Sequence, residues 1–525
     1  MQILAQKTFY ITTALYYSND NLHIGHAYEA VATDAMARYK RLRGYDVKFL
    51  TGMDEHGQKI EQTAMAKGVT PQEHVDRIAE LVKVLMKTLD IDYDIFWRTT
   101  DEAHKAAVKK IFNQLYEQGD IYKDAYEGLY CVHDEAFYTE HQLKDGKCPV
   151  CERGVEPIKE EAYFFRLSKY QDALIKHIEE NPGFIQPKSR ANEMLNNFLR
   201  PGLEDLCVSR TSFKWGVPVG FDPEHVVYVW IDALSNYAVG LGYMSDNDTD
   251  YQKYWPADVH IVGKDIVRFH TIIWPALLMA LDQPLPKQVF GHGWLNIDGK
   301  KMGKSLGNAV DPNMLVERYG VDAVRYFLLR EVVFGQDGNF TNEALIGRIN
   351  ADLANDLGNL LSRTVGMIDK YFGGKLPSVQ ADTEFDDSLR TVAATAVKKA
   401  EEAYDNMQFS DALNEIWNFV RRANKYIDEV MPWVLFKEGG KEDVLAGSLY
   451  MLAESLRIIA VLIEPVMPNT PRYVYEQLNI GDDGAKTWES AGKFGLLARD
   501  VEISKGDIVF PRIDLKKELE ELAGL

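Results

Sequence analysis

From Lys7 to about Tyr116, short apolar runs alternate with longer amphipathic ones. TFYITTALYY, rich in β-branched and aromatic residues, reads as a buried strand. The cluster Ser18-Asn19-Asp20-Asn21 behind it supplies turn chemistry, and a helix then runs to Gly44. Asp46 to Thr51 reads as a second strand, followed by GMDEHGQKIEQTAMAKG and a further long helix. This strand-helix-strand grammar predicts a parallel sheet. In such a sheet the ligand crevice lies beyond the carboxyl ends of the strands, where helix N-termini offer unpaired N–H groups to anions. Leu15 and Tyr17, ending the first strand, and Asp54, ending the second, are expected to open into that crevice.

The rhythm breaks between about 117 and 226, which predicts an insertion. The sheet is expected to resume at Val226 to Leu234, and again at Val259 to Val262 before Gly263-Lys264-Asp265. From Ile346 to about Ile480 the period is helical throughout and predicts a bundle. The tail, Asp482 to Leu525, carries a strand-like EISKGDIVFPRI and a charged final helix. The fold class expected is α/β: a Rossmann-like domain split by an insertion and followed by an all-α bundle.

Bulk composition narrows the class. The 525 residues leave room for roughly three or four domains. The formal charge of −20 excludes a generally basic nucleic-acid surface, so any RNA-binding face must be local. The N-terminus has no charged segment leading into an apolar one. The longest apolar run, Ile272 to Leu281, is too short to span a bilayer and contains Pro275. These features place the chain in the cytoplasm without a membrane partner. Four cysteines, three of them clustered, fit a reducing compartment and a metal site better than a disulfide framework.

Three local patterns carry chemistry. His23-Ile24-Gly25-His26 stands at the start of the first helix. Gly25 leaves room for a nucleotide against the backbone, and the two imidazoles share one helix face, where they can donate to phosphate oxygens. Lys301-Met302-Gly303-Lys304-Ser305 places two lysines on a small flexible loop behind an apolar strand, suited to clamping a triphosphate. Between Gly128 and Pro157, Cys148-Pro149-Val150-Cys151 and Cys131-Val132-His133-Asp134 form the halves of a zinc knuckle. Asp134 has the expected spacing for the fourth ligand and His133 is the softer donor one residue early; Asp134 is preferred to His133. With all positions filled by protein, such a zinc would be structural.

The first two patterns together resemble the HIGH and KMSKS pair of class I aminoacyl-tRNA synthetases. Gly303 departs from the family's middle serine, which should loosen the loop without removing a charge. The region around the first strands closely resembles methionyl-tRNA synthetases of bacterial type, and the likeness extends over roughly residues 7 to 470. By that resemblance Leu15, Tyr17 and Asp54 contact the amino acid, the carboxylate pairing with its ammonium. Trp230, Ala233, Leu234, Tyr237, Ile266, Phe269, His270 and Trp274, which spacing alone would assign to ordinary core, match positions that wall the methionine pocket. Leu234 stands where some members have proline.

Gly263, Lys264, Asp265 and His292 would flank the adenosine of ATP, together with Gly25. His23, His26, Lys301 and Lys304 would be catalytic, with Ser305 also at ATP and Mg²⁺ sharing the phosphate charge. Asn355, Asn359 and Arg363, at helical spacing, match residues that read the anticodon, and Trp433 matches an aromatic on which a base stacks. The domains implied are a catalytic domain in two halves, 1–116 and 227–296, around a connective insertion, 117–226. A stem-contact region (297–350), an anticodon-binding helical domain (351–480) and a tail (481–525) follow. The expected activity joins L-methionine to tRNA(Met) at the expense of ATP, with structural Zn²⁺, in a monomer. A cysteinyl enzyme would place its metal in the amino-acid pocket rather than in the insertion. A non-catalytic tRNA-binding paralogue would not need the intact His and Lys sets.

Overall fold

A computed structural model describes residues 6–19, 22–134, 136–138, 140–297, 299, 310–377, 381–481 and 483–522. Its internal contacts divide the chain into two units, Met1–Leu22 with Asp46–Lys87 and Asp92–Gly293, and His23–Tyr45 with Thr88–Ile91 and Trp294–Leu525.

In the first unit the strands are, in chain order, β1 (Thr8–Tyr17), β2 (Asp46–Asp54), β3 (Ile95–Arg98), β4 (Ile121–Cys131), β5 (Ala136–Tyr138), β6 (Glu156–Phe165), β7 (Ile185–Gln186), β8 (Leu206–Cys207), β9 (Ser209–Arg210), β10 (Pro218–Val219), β11 (Asp222–Val227), β12 (Val259–Gly263) and β13 (Val289–His292). Six of them form a parallel sheet in the order β3-β2-β1-β12-β13-β7. Central β1 is buried almost throughout, which is why its sequence is a continuous apolar run rather than an alternating one. The strand order reverses between β1 and β12, a switch point of the kind that holds ligands in open α/β sheets. Tyr17 is in register with Asp54 and Gly263 with His292, so the expected site residues stand together at the carboxyl ends of these strands. Gly52 is required on β2, because a Cβ there would lie 1.9 Å from the Trp97 carbonyl oxygen.

The insertion builds an antiparallel sheet, β5-β4-β6-β8, and a smaller one, β10-β11-β9. Two expectations change here. Val226 to Leu234 does not return to the parallel sheet: Val226 and Val227 end β11, and Val229–Val239 is a helix. That helix is buried on nearly every side, so its sequence lost the periodicity by which a helix is recognised. The two residues of β7, inside the insertion, pair with β13 and supply the sheet's edge instead.

Among its described residues the second unit is helical apart from a parallel pair, β14 (Leu295–Ile297) and β15 (Gly338–Phe340). The helix Ile24–Leu42 belongs to it by packing. Its Asp34 meets Arg325 at 2.6 Å with both side chains fully buried. Arg325 also donates to the carbonyls of Leu89, Pro465 and Val466 at 3.0, 3.2 and 2.8 Å, the extra bonds a buried guanidinium requires. Tyr39 stacks on Tyr404 and meets Trp488 edge-on, both with centroids 5.0 Å apart.

The helix Glu442–Ile463 is long and apolar enough to cross a membrane by length and composition, and is wholly buried in this unit. Among the described residues it is the one helix that meets that test. Glu454 and Arg457 interrupt it in sequence but pair with each other at 2.9 Å. The strand-like segment of the tail forms no strand among the described residues, where Glu502 makes only an isolated bridge to Lys375. The final helix is present as Leu515–Leu522.

Candidate active site

In the second unit, His23 is the N-cap of the helix Ile24–Leu42. The Gly25 N–H donates to Nδ1 of His23 at 3.1 Å, and the His23 N–H donates to Nδ1 of His26 at 3.1 Å. The rings lie 4.0 Å apart. A ring nitrogen that accepts carries no proton, so each neutral imidazole must hold its hydrogen on Nε2. Backbone bonds that cap the helix thereby make both histidines Nε2 donors at a helix N-terminus, where a phosphate is electrostatically favoured. Lys301, Gly303, Lys304 and Ser305 lie outside the described residues.

The strand ends and following helices of the first unit assemble the aromatic set. Leu15, Trp230, Leu234, Tyr237, Ile266, Phe269 and Trp274 belong to one hydrophobic cluster. Leu15, Trp230 and Ile266 are half-buried at its margin, whereas Tyr237 and Trp274 are inside. Trp230 stacks on Phe269 with centroids 3.7 Å apart and planes 5° from parallel. His270 donates from Nδ1 to the Ile266 carbonyl at 2.9 Å, so its Nε2 accepts the Tyr237 hydroxyl at 2.8 Å. Burial lowers the His270 pKa to about 4, and the wall is uncharged at neutral pH. Ala233 is buried in the helix that carries Trp230, and Asp54 is buried at the end of β2. Tyr17 is half-buried and carries the Lys59 ammonium over its ring.

Gly263 ends β12, Lys264 and Asp265 follow it, and the Lys264 N–H donates to the His292 carbonyl at 2.9 Å. His292 gives its Nδ1 hydrogen to the Gly293 carbonyl at 2.8 Å, leaving Nε2 as an acceptor in the neutral ring.

Sequence reasoning missed the polar groups behind this wall. Buried Asp232, between Trp230 and Ala233, bonds His56 Nδ1 at 2.6 Å and His104 Nε2 at 2.8 Å. Burial alone would raise its pKa; attraction and hydrogen bonds from the two histidines outweigh that and bring it to about 2. Glu55, next to Asp54, is buried against Arg98 at 2.8 Å, and burial raises its pKa despite that partner. Only the proximity of His56 to Asp54 in sequence could have pointed to the set.

In the insertion, Cys131, Asp134, Cys148 and Cys151 offer ligand atoms all within 4.8 Å of one another. His133 is outside that group: its Nδ1 bonds Asp134 Oδ1 at 3.0 Å, while Asp134 Oδ2 faces the thiols of Cys148 and Cys131 at 2.9 and 3.6 Å. Burial raises the Cys131 thiol to about 11, a rise that the Asp134 backbone N–H opposes and the Asp134 charge assists. Three thiols and a carboxylate converging in a partly buried site are compatible with a zinc ion, whose charge would ionise them.

On the helical bundle, Asn355 and Asn359 are exposed, and Arg363 pairs with Asp428 at 2.9 Å. Asn355 lies in a π-helical stretch, Ile349–Gly358, that runs into the helix Asn359–Phe372, so the even spacing expected of one α-helix is interrupted between the two asparagines. Met431 adopts a left-handed conformation between Phe409–Val430 and Pro432–Glu438, and beyond this turn Trp433 is 43% exposed. Phe436, one turn on, stacks on Tyr371 with centroids 4.4 Å apart.

A parallel sheet with a switch point, a helix N-terminus capped by paired histidines and a separate helical bundle are the parts of a class I tRNA synthetase. The family described as tRNA synthetases class I (M) matches residues 9–156 and 141–365, and the anticodon-binding domain of tRNA ligase matches 386–496. The methionine–tRNA ligase of Caldanaerobacter subterraneus subsp. tengcongensis is 64% identical over 98% of this chain and 81% of its own length. That of Bacillus subtilis is 58% identical over 99% and 80%. The Mycobacterium tuberculosis methionyl-tRNA synthetase in complex with methionyl-adenylate superposes with a TM-score of 0.93 at 43% identity, covering 97% of this chain and all of that one. The chain belongs to the methionine–tRNA ligase family.

Proposed function

We propose that the chain activates L-methionine with ATP and transfers it to tRNA(Met). The methionine carboxylate attacks the α-phosphorus, the bond to the β-phosphate oxygen breaks, and pyrophosphate leaves with methionyl-adenylate formed. A terminal ribose hydroxyl of the tRNA then attacks the acyl carbonyl and AMP departs. No side chain need become covalently attached, so catalysis is positioning and electrostatic stabilisation. Asp54 pairs with the ammonium, and the Trp230, Phe269, Tyr237 and His270 wall receives the thioether; Leu15, Tyr17, Ala233, Leu234, Ile266 and Trp274 complete that surface. His23 and His26 donate from Nε2 to phosphate oxygens, with Gly25 beneath them. Lys301 and Lys304 hold the departing pyrophosphate with Ser305 beside them, while Gly263, Lys264, Asp265 and His292 border the adenosine. Mg²⁺ enters with ATP and shares its charge.

The observation that carries the reading is an uncharged aromatic wall at the strand ends beside a buried carboxylate, a match for an apolar side chain on an ammonium-bearing substrate. Zinc, held by Cys131, Asp134, Cys148 and Cys151, is structural, and metal analysis should find one per chain. The thiols stand in the insertion, which favours methionine over the cysteinyl alternative. Asn355, Asn359, Arg363 and Trp433 read the anticodon, and the place of work is the cytoplasm. The test is amino-acid-dependent exchange between ATP and pyrophosphate across all twenty amino acids. Methionine should dominate; a higher rate with cysteine, or no exchange with any amino acid, would overturn the assignment.

A further inference from the structure

The segment behind Asp54 is held at every residue. The Glu55 N–H donates to Thr99 Oγ1 at 2.9 Å, and the Glu55 carbonyl accepts the Trp215 indole N–H at 2.6 Å. The Glu55 carboxylate binds Arg98 and Thr100, and the Gly57 N–H donates to the Trp215 carbonyl at 3.1 Å. His56 alone reaches across to the helix Val229–Val239, and its partner there is Asp232.

Asp232 occupies the first turn of the helix whose Trp230, Ala233, Leu234 and Tyr237 form the proposed thioether wall. Its second oxygen takes the Nε2 hydrogen of His104, on the helix Glu102–Glu117. That ring cannot turn its proton round, because the Trp97 indole N–H already occupies Nδ1 at 2.9 Å. One carboxylate thus joins the strand end bearing the ammonium partner, the helix bearing the apolar wall, and the helix behind them. Asp232 and His104 are fully buried, and neither takes part in the chemistry proposed above.

We infer that Asp232 is a positioning residue for amino-acid recognition, fixing through His56 and His104 the separation between Asp54 and the wall that receives the methionine side chain. Two recognition points for one small ligand must be spaced correctly, and misplacement of about 1 Å is enough to cost orders of magnitude. The inference rests on the methionine reading, and wild-type exchange tests that reading separately.

The experiment measures KM for L-methionine and for ATP in the exchange assay, with the thermal midpoint, for the full chain. Asp232→Ala should raise the methionine KM by roughly tenfold to a hundredfold, with the ATP KM unchanged. Asp232→Asn should recover most of the loss: its carbonyl can accept from His104, and its amide can donate to His56 once that ring's proton moves to Nε2. Should Asp232→Ala fail to fold, His56→Asn, which alters only the arm next to Asp54, should give the same split. An unchanged methionine KM in the folded variant, or methionine and ATP KM rising together with a fallen midpoint, would overturn the inference. Wild-type protein without methionine-dependent exchange would instead overturn the function on which it rests.

Discussion

Trp274 and Trp433 are the same side chain in opposite settings. Trp274 is 1% exposed inside the aromatic cluster of the first unit; Trp433 is 43% exposed on a short helix of the second. The rings of Tyr237 and Trp255 lie 6.3 and 5.9 Å from that of Trp274, and His270, bonded to Tyr237, is kept neutral. Close to Trp433 in the chain stand Met431, 44% exposed, and Phe436, 50% exposed with one face stacked on Tyr371. A small ligand with one apolar arm is recognised by a shape fixed in advance, whereas a splayed-out base needs a face left open. Burial, rather than residue type, separates the two proposed roles.

The comparison can be broken from the pocket side first. Asp54→Asn keeps the size of the buried side chain and removes its charge, so exchange kinetics should lose roughly a hundredfold or more in kcat/KM for methionine. A loss confined to ATP would deny Asp54 its role. From the open side, Trp433→Ala should lower tRNA aminoacylation by about tenfold, the cost of one stacked base. Methionine-dependent exchange and the melting temperature should stay as they were. A parallel fall in all three would return Trp433 to the core.

The smallest effect belongs to His270. Its folded pKa, about 4, lies below the ordinary imidazole value, so the unfolded chain binds the extra proton first as pH falls. Stability contributed by the neutral ring is present above about pH 6.5 and is lost between there and about pH 4. His270→Gln should flatten that part of the melting profile, although buried His260 contributes in the same direction and will leave a residual slope.

What was legible in the sequence was local. The run Thr8–Tyr17 and its turn announced a strand end, and Cys148 and Cys151 with Cys131 announced the knuckle, because spacing along the chain fixes spacing in space over such distances. The choice of Asp134 over His133 followed the same logic, and metal retention in Asp134→Ala against His133→Ala is its test. The helix Val229–Val239 was misread because a helix buried on all sides has no polar face to mark its period. Asp232, His56 and His104 were invisible for a different reason. They are 176 and 128 residues apart along the chain, and nothing in a local pattern distinguishes a buried Asp that finds two imidazoles from one that caps a helix.

The helix Ile24–Leu42 leaves the first unit after Leu22 and hands the chain back at Asp46, yet its core partners, Arg325, Tyr404 and Trp488, all come from beyond residue 293. Anyone wishing to dissect the molecule into an activating fragment and an RNA-reading fragment therefore meets an obstacle that no linear map reveals. Cutting after Gly293 would keep His23 and His26 while stripping away the surfaces that bury their helix. A smaller working enzyme would have to carry those surfaces with it or replace them.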